Sequence, residues 1–207
     1  WIAQTGPEEI LTFARDREKV SRYLGLDHCY SEIRATFPEG DEFLEQSIAF
    51  CPGIRIIRQP VWECLATFIT SSLKQVAHIR AISLTIRERY GKPYELDGVP
   101  FYSYPDPASL AKVGEEALRQ CALGYRAKSL HLAANSIASG ETDLVAIEGL
   151  ANPDEARERL TGLHGVGDKI ANCVLLFGCG HWGTFPIDVW IERVLRTQYR
   201  KRVKGAK

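Results

Sequence analysis

Apolar residues recur at intervals of three and four along most of the chain and rarely alternate, so the pattern predicts helices separated by glycine- and proline-marked turns. The spacing predicts a first helix over Arg17–Leu24 with Asp16 as its N-cap, then short helices over residues 30–37 and Glu42–Phe50, punctuated by Pro38-Glu39-Gly40 and Pro52-Gly53. Pro60 opens an apolar stretch, Val61–Ser71, with Trp62, Leu65, Phe68 and Ile69. Residues 75–90 set Val76, Ile79, Ile82 and Ile86 on one helical face, and Gly91 closes that helix. Residues 92–107 hold four prolines, one glycine and three tyrosines and read as an ordered loop. Further helices are predicted over residues 108–121, 125–140, 143–150, 153–160 and 168–177, with Pro186 beginning the last one. Only the first fifteen residues look strand-like, around Ile10 to Phe13. The predicted fold is mainly α, with no internal repeat.

Composition changes this picture little. The 207 residues are 45% hydrophobic, 25% charged and 10% aromatic, which excludes collagen-like, disordered and disulfide-scaffold chains. Apolar runs such as Cys173 to Cys179 are too short to span a bilayer, and no basic-then-apolar leader opens the chain. The chain begins at Trp1 and has no methionine, so a fragment with both ends incomplete is expected. The six cysteines form no C-x-x-C pair, which fits a reduced intracellular compartment with mostly buried thiols.

Charge matters by position rather than in sum. The 26 basic and 26 acidic side chains cancel, so no global excess points to nucleic acid. Residues 189–207, however, carry Arg193, Arg196, Arg200, Lys201, Arg202, Lys204 and Lys207 against the single acid Glu192. A polyanion could dock there; a solvated terminus reads equally well.

The sharpest local feature is Leu163-His164-Gly165-Val166-Gly167 between two helical stretches. Glycines permit positive φ and close approach of another backbone. The next helix begins at Asp168, so its free N–H groups and dipole could hold a phosphate; a plain turn between two helices is the alternative. Lys169 lies in the first turn, the wrong end of the helix dipole for a cation, among apolar residues. That placement disfavours the ammonium, and a neutral amine is what a nucleophilic lysine requires. Nineteen residues on, Asp188 sits in Phe185-Pro186-Ile187-Asp188-Val189-Trp190, where a helix-capping aspartate is the alternative reading.

Hairpin, lysine and aspartate in this order resemble the helix-hairpin-helix DNA glycosylases, in which a Gly/Pro-rich loop precedes an aspartate and the lysine marks the bifunctional glycosylase/lyase branches. Arg58-Gln59-Pro60, Glu63-Cys64-Leu65, Phe68-Ile69-Thr70-Ser71-Ser72 and Leu123-Gly124-Tyr125-Arg126-Ala127 are similar to the 8-oxoguanine DNA glycosylase family, and the likeness covers most of residues 50–200. It implies a helix-hairpin-helix glycosylase fold of two helical subdomains over residues 16–207, with residues 1–15 a remnant of an N-terminal β-rich domain. A later helix bearing glutamine and aromatic contacts to the oxidised base would follow Lys207.

The resemblance also implies an activity: 8-oxoguanine DNA N-glycosylase and abasic-site lyase of base excision repair, acting on a nucleotide rotated out of damaged double-stranded DNA. Lys169 would attack the sugar, Asp188 would stabilise the charge developing there, and β-elimination would cut 3′ to the site. Amides of Gly165, Gly167 and Ile170 would hold a phosphate. Carbonyls of Thr161, Leu163 and Val166 would ligate a structural Na+ or K+. Cys173 would lie against the flipped base; an ordinary buried thiol is the alternative. Tyr125 would wedge into the stack and Arg126 would read the orphaned cytosine. An intracellular monomer that stays with the DNA, needs no cofactor and touches no membrane is implied.

Departures from the family pattern qualify these roles. Where well-known members have a run of asparagines, this chain has Leu73-Lys74-Gln75, so Gln75 would supply an amide and Lys74 a phosphate contact. His78 replaces an arginine that contacts the estranged base, and Trp190 replaces a phosphate-binding histidine. One rival is a sister glycosylase for another lesion. The iron–sulfur members place four cysteines after this domain, whereas no cysteine follows Cys179 here, so no cluster is expected; alkyladenine members generally lack the lysine. The other rival is a non-catalytic helix-hairpin-helix module that only grips DNA.

Overall fold

A computed structural model describes residues 2–6, 9–12, 16–71, 74–96 and 98–200. Phe13, Ser72, Leu73 and the tail bases Lys201, Arg202, Lys204 and Lys207 lie outside the described residues. The backbone divides into two compact units, Trp1–Arg58 and Gln59–Lys207.

In the first unit, β1 (Ile2–Gly6) pairs antiparallel with β2 (Glu9–Thr12). The strand expected near Ile10 is present, joined to a partner that the sequence pattern did not single out. Helix α1 (Arg17–Leu24) starts as predicted, with Asp16 accepting from the Lys19 amide at 3.0 Å, and α2 (Tyr30–Ala35) and α3 (Glu42–Phe50) follow. None of these three helices contains a buried residue. Polar ties do the fastening instead: Arg55 Nη1 donates to the carbonyls of Gly25 at 2.6 Å and His28 at 3.0 Å, and Arg58 pairs with Asp27 and donates to Arg22 O at 2.9 Å.

The second unit has a continuous apolar core with α4 (Val61–Ser71) at its centre. Its face of Val61, Cys64, Leu65, Ala66, Ile69 and Thr70 is buried. Around it stand α5 (Val76–Tyr90), α6 (Pro107–Val113), α7 (Glu115–Leu118), α8 (Arg126–Ala138), α9 (Leu144–Glu148), α10 (Pro153–Thr161) and α11 (Asp168–Val174). Leu65, Ile86, Leu110, Leu118, Leu130 and Leu160 are fully buried, and each such side chain contributes roughly 1.5–3 kcal/mol of burial. Ala127, Ala133 and Ala134 give α8 a small-residue face that can approach its neighbours closely. Phe68 stacks on Phe177 with ring centroids 5.8 Å apart, and Glu63 of α4 pairs with Arg87 of α5.

Four expectations are corrected. The stretch read as a loop over residues 92–107 contains a hairpin, β3 (Pro93–Leu96) against β4 (Val99–Tyr102), with Leu96 opposite Val99. The intervening dipeptide Asp97-Gly98 is a strong hairpin signal, and a two-stranded ribbon, being all edge, tolerates Pro93 and Pro100. The helix expected over residues 108–121 is broken at Gly114, whose φ of 81° and ψ of 157° cannot continue it; beyond α7 the chain kinks at Cys121 and Ala122, whose backbone angles are not helical. The last helix, α12 (Val189–Gln198), begins not at Pro186 but after Asp188, because the Asp188 carboxylate takes up its first free amides. Likewise α11 ends at Val174 and passes into a π-helical turn, Leu175–Cys179. Among the described residues no helix is long and apolar enough to cross a membrane.

Candidate active site and nucleic-acid interface

α10 and α11 form a helical hairpin, tied by Arg157 Nε donating to Asn172 Oδ1 at 2.8 Å and by apolar packing of Ala156 and Leu160 with Ile170 and Ala171. The turn between them closes with the Val166 amide donating to Leu163 O at 3.1 Å. Leu163 and Val166 point into the core, at 6% and 5% exposure, which seats the turn and leaves His164, Gly165 and Gly167 outside.

The two glycines differ. Gly165 has φ +80°, and a Cβ there would run into the Ser129 side chain of α8, so both conformation and space demand glycine. Gly167 is extended, at φ −98° and ψ 178°, with nothing within 4 Å of where a Cβ would stand. The fold does not require a glycine at 167; it leaves open space there. Gly167 is the N-cap of α11 and offers no side-chain cap, and the first intrahelical bond runs from Ala171 N to Gly167 O at 2.9 Å. The amides of Asp168, Lys169 and Ile170 therefore have no intrahelical acceptor.

Lys169 is exposed. The apolar residues that surround it in sequence do not enclose it, because the helical period turns Ile170, Ala171 and Val174 toward the core and the lysine outward. Cys173, one turn on, is buried at 4% exposure. Burial pushes its thiol up to about 11, opposed by the nearby Lys169 charge and reinforced by the Asp188 carboxylate. Lysine, thiol and aspartate thus share one locality, although Asp188 comes from the loop before α12. Its Oδ1 accepts from the amides of Trp190 at 3.0 Å and Ile191 at 2.8 Å, so Asp188 is a helix N-cap held in one orientation. Phe185, Ile187, Val189 and Trp190 around it are 52–72% exposed, and the Arg193 guanidinium lies 4.9 Å from the Trp190 ring centre.

The remaining candidates lie at the ends of α4, α5 and α8. Lys74 Nζ donates to Ala122 O at 3.3 Å, joining the loop after α4 to the turn before Tyr125. That turn is tight: Ala122 has φ +61°, a left-handed conformation costly for a residue with a Cβ. Tyr125 is 61% exposed, whereas Arg126 is buried at 6%, with its guanidinium 4.4 Å from the Tyr125 ring centre and Nη1 donating to Leu123 O at 3.5 Å. Gln75 caps the start of α5 without a side-chain hydrogen bond, and His78 is exposed in its first turn. Thr161 ends α10 and, with Leu163 and Val166, supplies carbonyls around the turn. Among the described residues no group of three His, Cys, Asp or Glu side chains could hold a metal ion. Ser129 and His164, which touch at 3.1 Å across α8 and the hairpin, were not singled out from sequence; only the tertiary contact reveals the pair.

Comparison with known proteins agrees with this geometry. A family model described as the 8-oxoguanine DNA glycosylase N-terminal domain matches residues 10–65. The N-glycosylase/DNA lyase of Saccharomyces cerevisiae is 34% identical over 72% of this chain and 42% of its own length. A probable N-glycosylase/DNA lyase of Methanothermobacter thermautotrophicus is 31% identical over 86% of this chain and 62% of its own length. The chain thus spans about half the length of these curated relatives. The crystal structure of Clostridium acetobutylicum 8-oxoguanine glycosylase/lyase, in complex with duplex DNA containing cytosine opposite 8-oxoguanine, superposes with a TM-score of 0.88 at 31% identity, covering 96% of this chain and 69% of that one. With the helical hairpin, the lysine and the aspartate in place, the chain belongs to the 8-oxoguanine DNA glycosylase family.

Proposed function

We propose that this chain carries the catalytic centre of a bifunctional 8-oxoguanine DNA glycosylase and abasic-site lyase. The observation that carries the reading is the convergence of Lys169 and Asp188 on the buried Cys173 from separate elements. In this reading the Lys169 Nζ lone pair bonds to the anomeric carbon of the flipped nucleotide while the glycosidic C–N bond breaks, and the base leaves with a proton. Asp188, its carboxylate aimed by two backbone amides, stabilises the positive charge developing on the sugar. A proton from water then goes to the ring oxygen as its bond to the anomeric carbon breaks, and the Lys169 nitrogen, which keeps its remaining hydrogen, forms the iminium with the sugar. This acidifies the neighbouring sugar hydrogen, and β-elimination expels the 3′ phosphate. Cys173 stays a neutral thiol against the base, as its raised titration point requires.

DNA is held from several sides in this reading. The free amides of Gly165, Gly167 and Ile170 bind one phosphate, and the space over Gly167 lets the backbone approach. Tyr125, exposed at the head of α8, enters the stack, and Arg126, stacked on it, turns to the orphaned cytosine. Lys74, Gln75 and His78 lie along the same strand gap. The carbonyls of Thr161, Leu163 and Val166 suit a monovalent cation. They lie at the negative end of α10, and Leu163 O, which accepts from the Val166 amide, has two lone pairs. When bound, that ion would brace the turn electrostatically beneath the phosphate. The protein is proposed to work as a monomer, inside the cell, on DNA.

Borohydride trapping on duplexes with one 8-oxoguanine opposite each of the four bases tests the reading. A covalent adduct strongest opposite cytosine is expected. Lys169→Gln should abolish it with DNA binding kept, and Asp188→Asn, which preserves the cap, should slow excision at least tenfold. A Lys169→Gln variant that traps as well as the parent would mean another amine is the nucleophile.

A further inference from the structure

We infer that His164 is an additional DNA-phosphate ligand of the hairpin, held in a donor tautomer by Ser129. The inference rests on the DNA-binding reading above. His164 stands between the buried Leu163 and the left-handed Gly165, on the outward side of the turn, and its side chain is exposed. Ser129, 7% exposed on α8, is packed so tightly against Gly165 that no Cβ fits between them, and its Oγ meets His164 Nδ1 at 3.1 Å. The hydroxyl has one hydrogen to give, and an imidazole nitrogen that accepts it must place the ring hydrogen on the other nitrogen. With Ser129 Oγ–H donating to Nδ1, neutral His164 carries its hydrogen on Nε2.

An Nε2–H donor on the outer side of the turn adds to the backbone amides of Gly165 and Gly167 two residues or fewer away. A phosphate oxygen accepts hydrogen bonds and donates none, so it favours this tautomer over the reverse one, in which a lone pair would face the anion. The same contact fixes the turn against α8, the helix that begins with Tyr125 and Arg126. The phosphate grip and the wedge are thereby set at a constant separation. In its neutral form the ring contributes a hydrogen bond and not counterion release, and it reads no base.

Duplex binding by the parent and by His164→Ala, measured by fluorescence anisotropy across a salt series, tests this. The variant should bind damaged and undamaged duplexes about tenfold more weakly, the size of one hydrogen bond to a charged acceptor. The slope of affinity against salt should match the parent's, whereas loss of a lysine contact lowers it by about one. Ser129→Ala, which keeps the imidazole but frees the ring, should lose part of the same affinity. In 15N spectra of the free protein, the His164 ring should carry its hydrogen on Nε2. Unchanged affinity in His164→Ala, a salt slope that falls with the affinity, or hydrogen on Nδ1 overturns the inference while duplex binding by the parent stands. A parent that binds no duplex overturns the DNA-binding reading itself, and this inference with it.

Discussion

Gly165 and Gly167 look alike in the sequence and differ in what they do. Gly165 is tied to its backbone angle and to Ser129, so Gly165→Ala should lower stability by about 1–2 kcal/mol from the left-handed conformation alone, with the Ser129 clash adding to it. Gly167→Ala meets no atom of the chain and keeps an extended backbone, so it should melt with the parent yet bind duplex DNA more weakly. Thermal melting and anisotropy on the two variants separate the roles; equal destabilisation of both would contradict the assignment. Lys169 and Asp188 were legible as residue types at a spacing, and the hairpin glycines as a motif. The exposure of Lys169, the burial of Arg126 beneath Tyr125 and the Ser129–His164 contact were not, because each depends on which face of a helix another element covers.

Among the elements, the cap at Asp16 was legible in the sequence, whereas those at Asp41 and Asp106 follow the same chemistry and were not singled out. Asp16 and Asp41 each accept an amide three residues on, and Asp106 does the same from Ser109 at 2.8 Å at the start of α6. Hydrogen bonding from the Ser109 side chain, and then from its amide, holds the Asp106 carboxyl below its ordinary 3.8. A depressed folded-state value means the ionised group stabilises the fold above pH 3.8, and this contribution is lost as pH falls through the folded value. Asp106→Ala should therefore cost about 0.5–2 kcal/mol in urea titrations at pH 7. The gap should narrow below pH 3.8, and one that stays constant to pH 2 would count against the cap. The β3–β4 hairpin was hidden because proline content outweighed the Asp97-Gly98 dipeptide, and the break in residues 108–121 because apolar periodicity continues across Gly114.

For the molecule as a whole, thiol chemistry maps the packing. All six cysteines are free; Cys29 and Cys51 are exposed, and Cys64, Cys121 and Cys173 are buried. A hydrogen bond with Ser31 holds the Cys29 thiol below its ordinary value, while burial drives Cys64 and Cys173 up. With its titration point near 11, Cys173 is ionised at pH 8 in roughly one molecule in a thousand, and thiolate is the reactive form. Peptide mass mapping after a short maleimide pulse at pH 8 should find Cys29 and Cys51 labelled and Cys173 protected, with Cys173 labelling rising toward pH 11; equal early labelling of Cys173 would refute its burial. The expectation of mostly buried thiols holds for the second unit, whose core is apolar, and not for Cys29 and Cys51 in the first, whose helices bury no residue. By itself the sequence determined the helical character, most helix starts and the lysine–aspartate pair, because periodicity, caps and turn glycines act over a few residues. Only the tertiary structure decided that Lys169 and Asp188 both lie near Cys173, that Lys74 reaches Ala122 and that Ser129 seats the hairpin. Contacts between residues thirty-five and forty-eight positions apart follow from how whole helices pack, which no local pattern encodes.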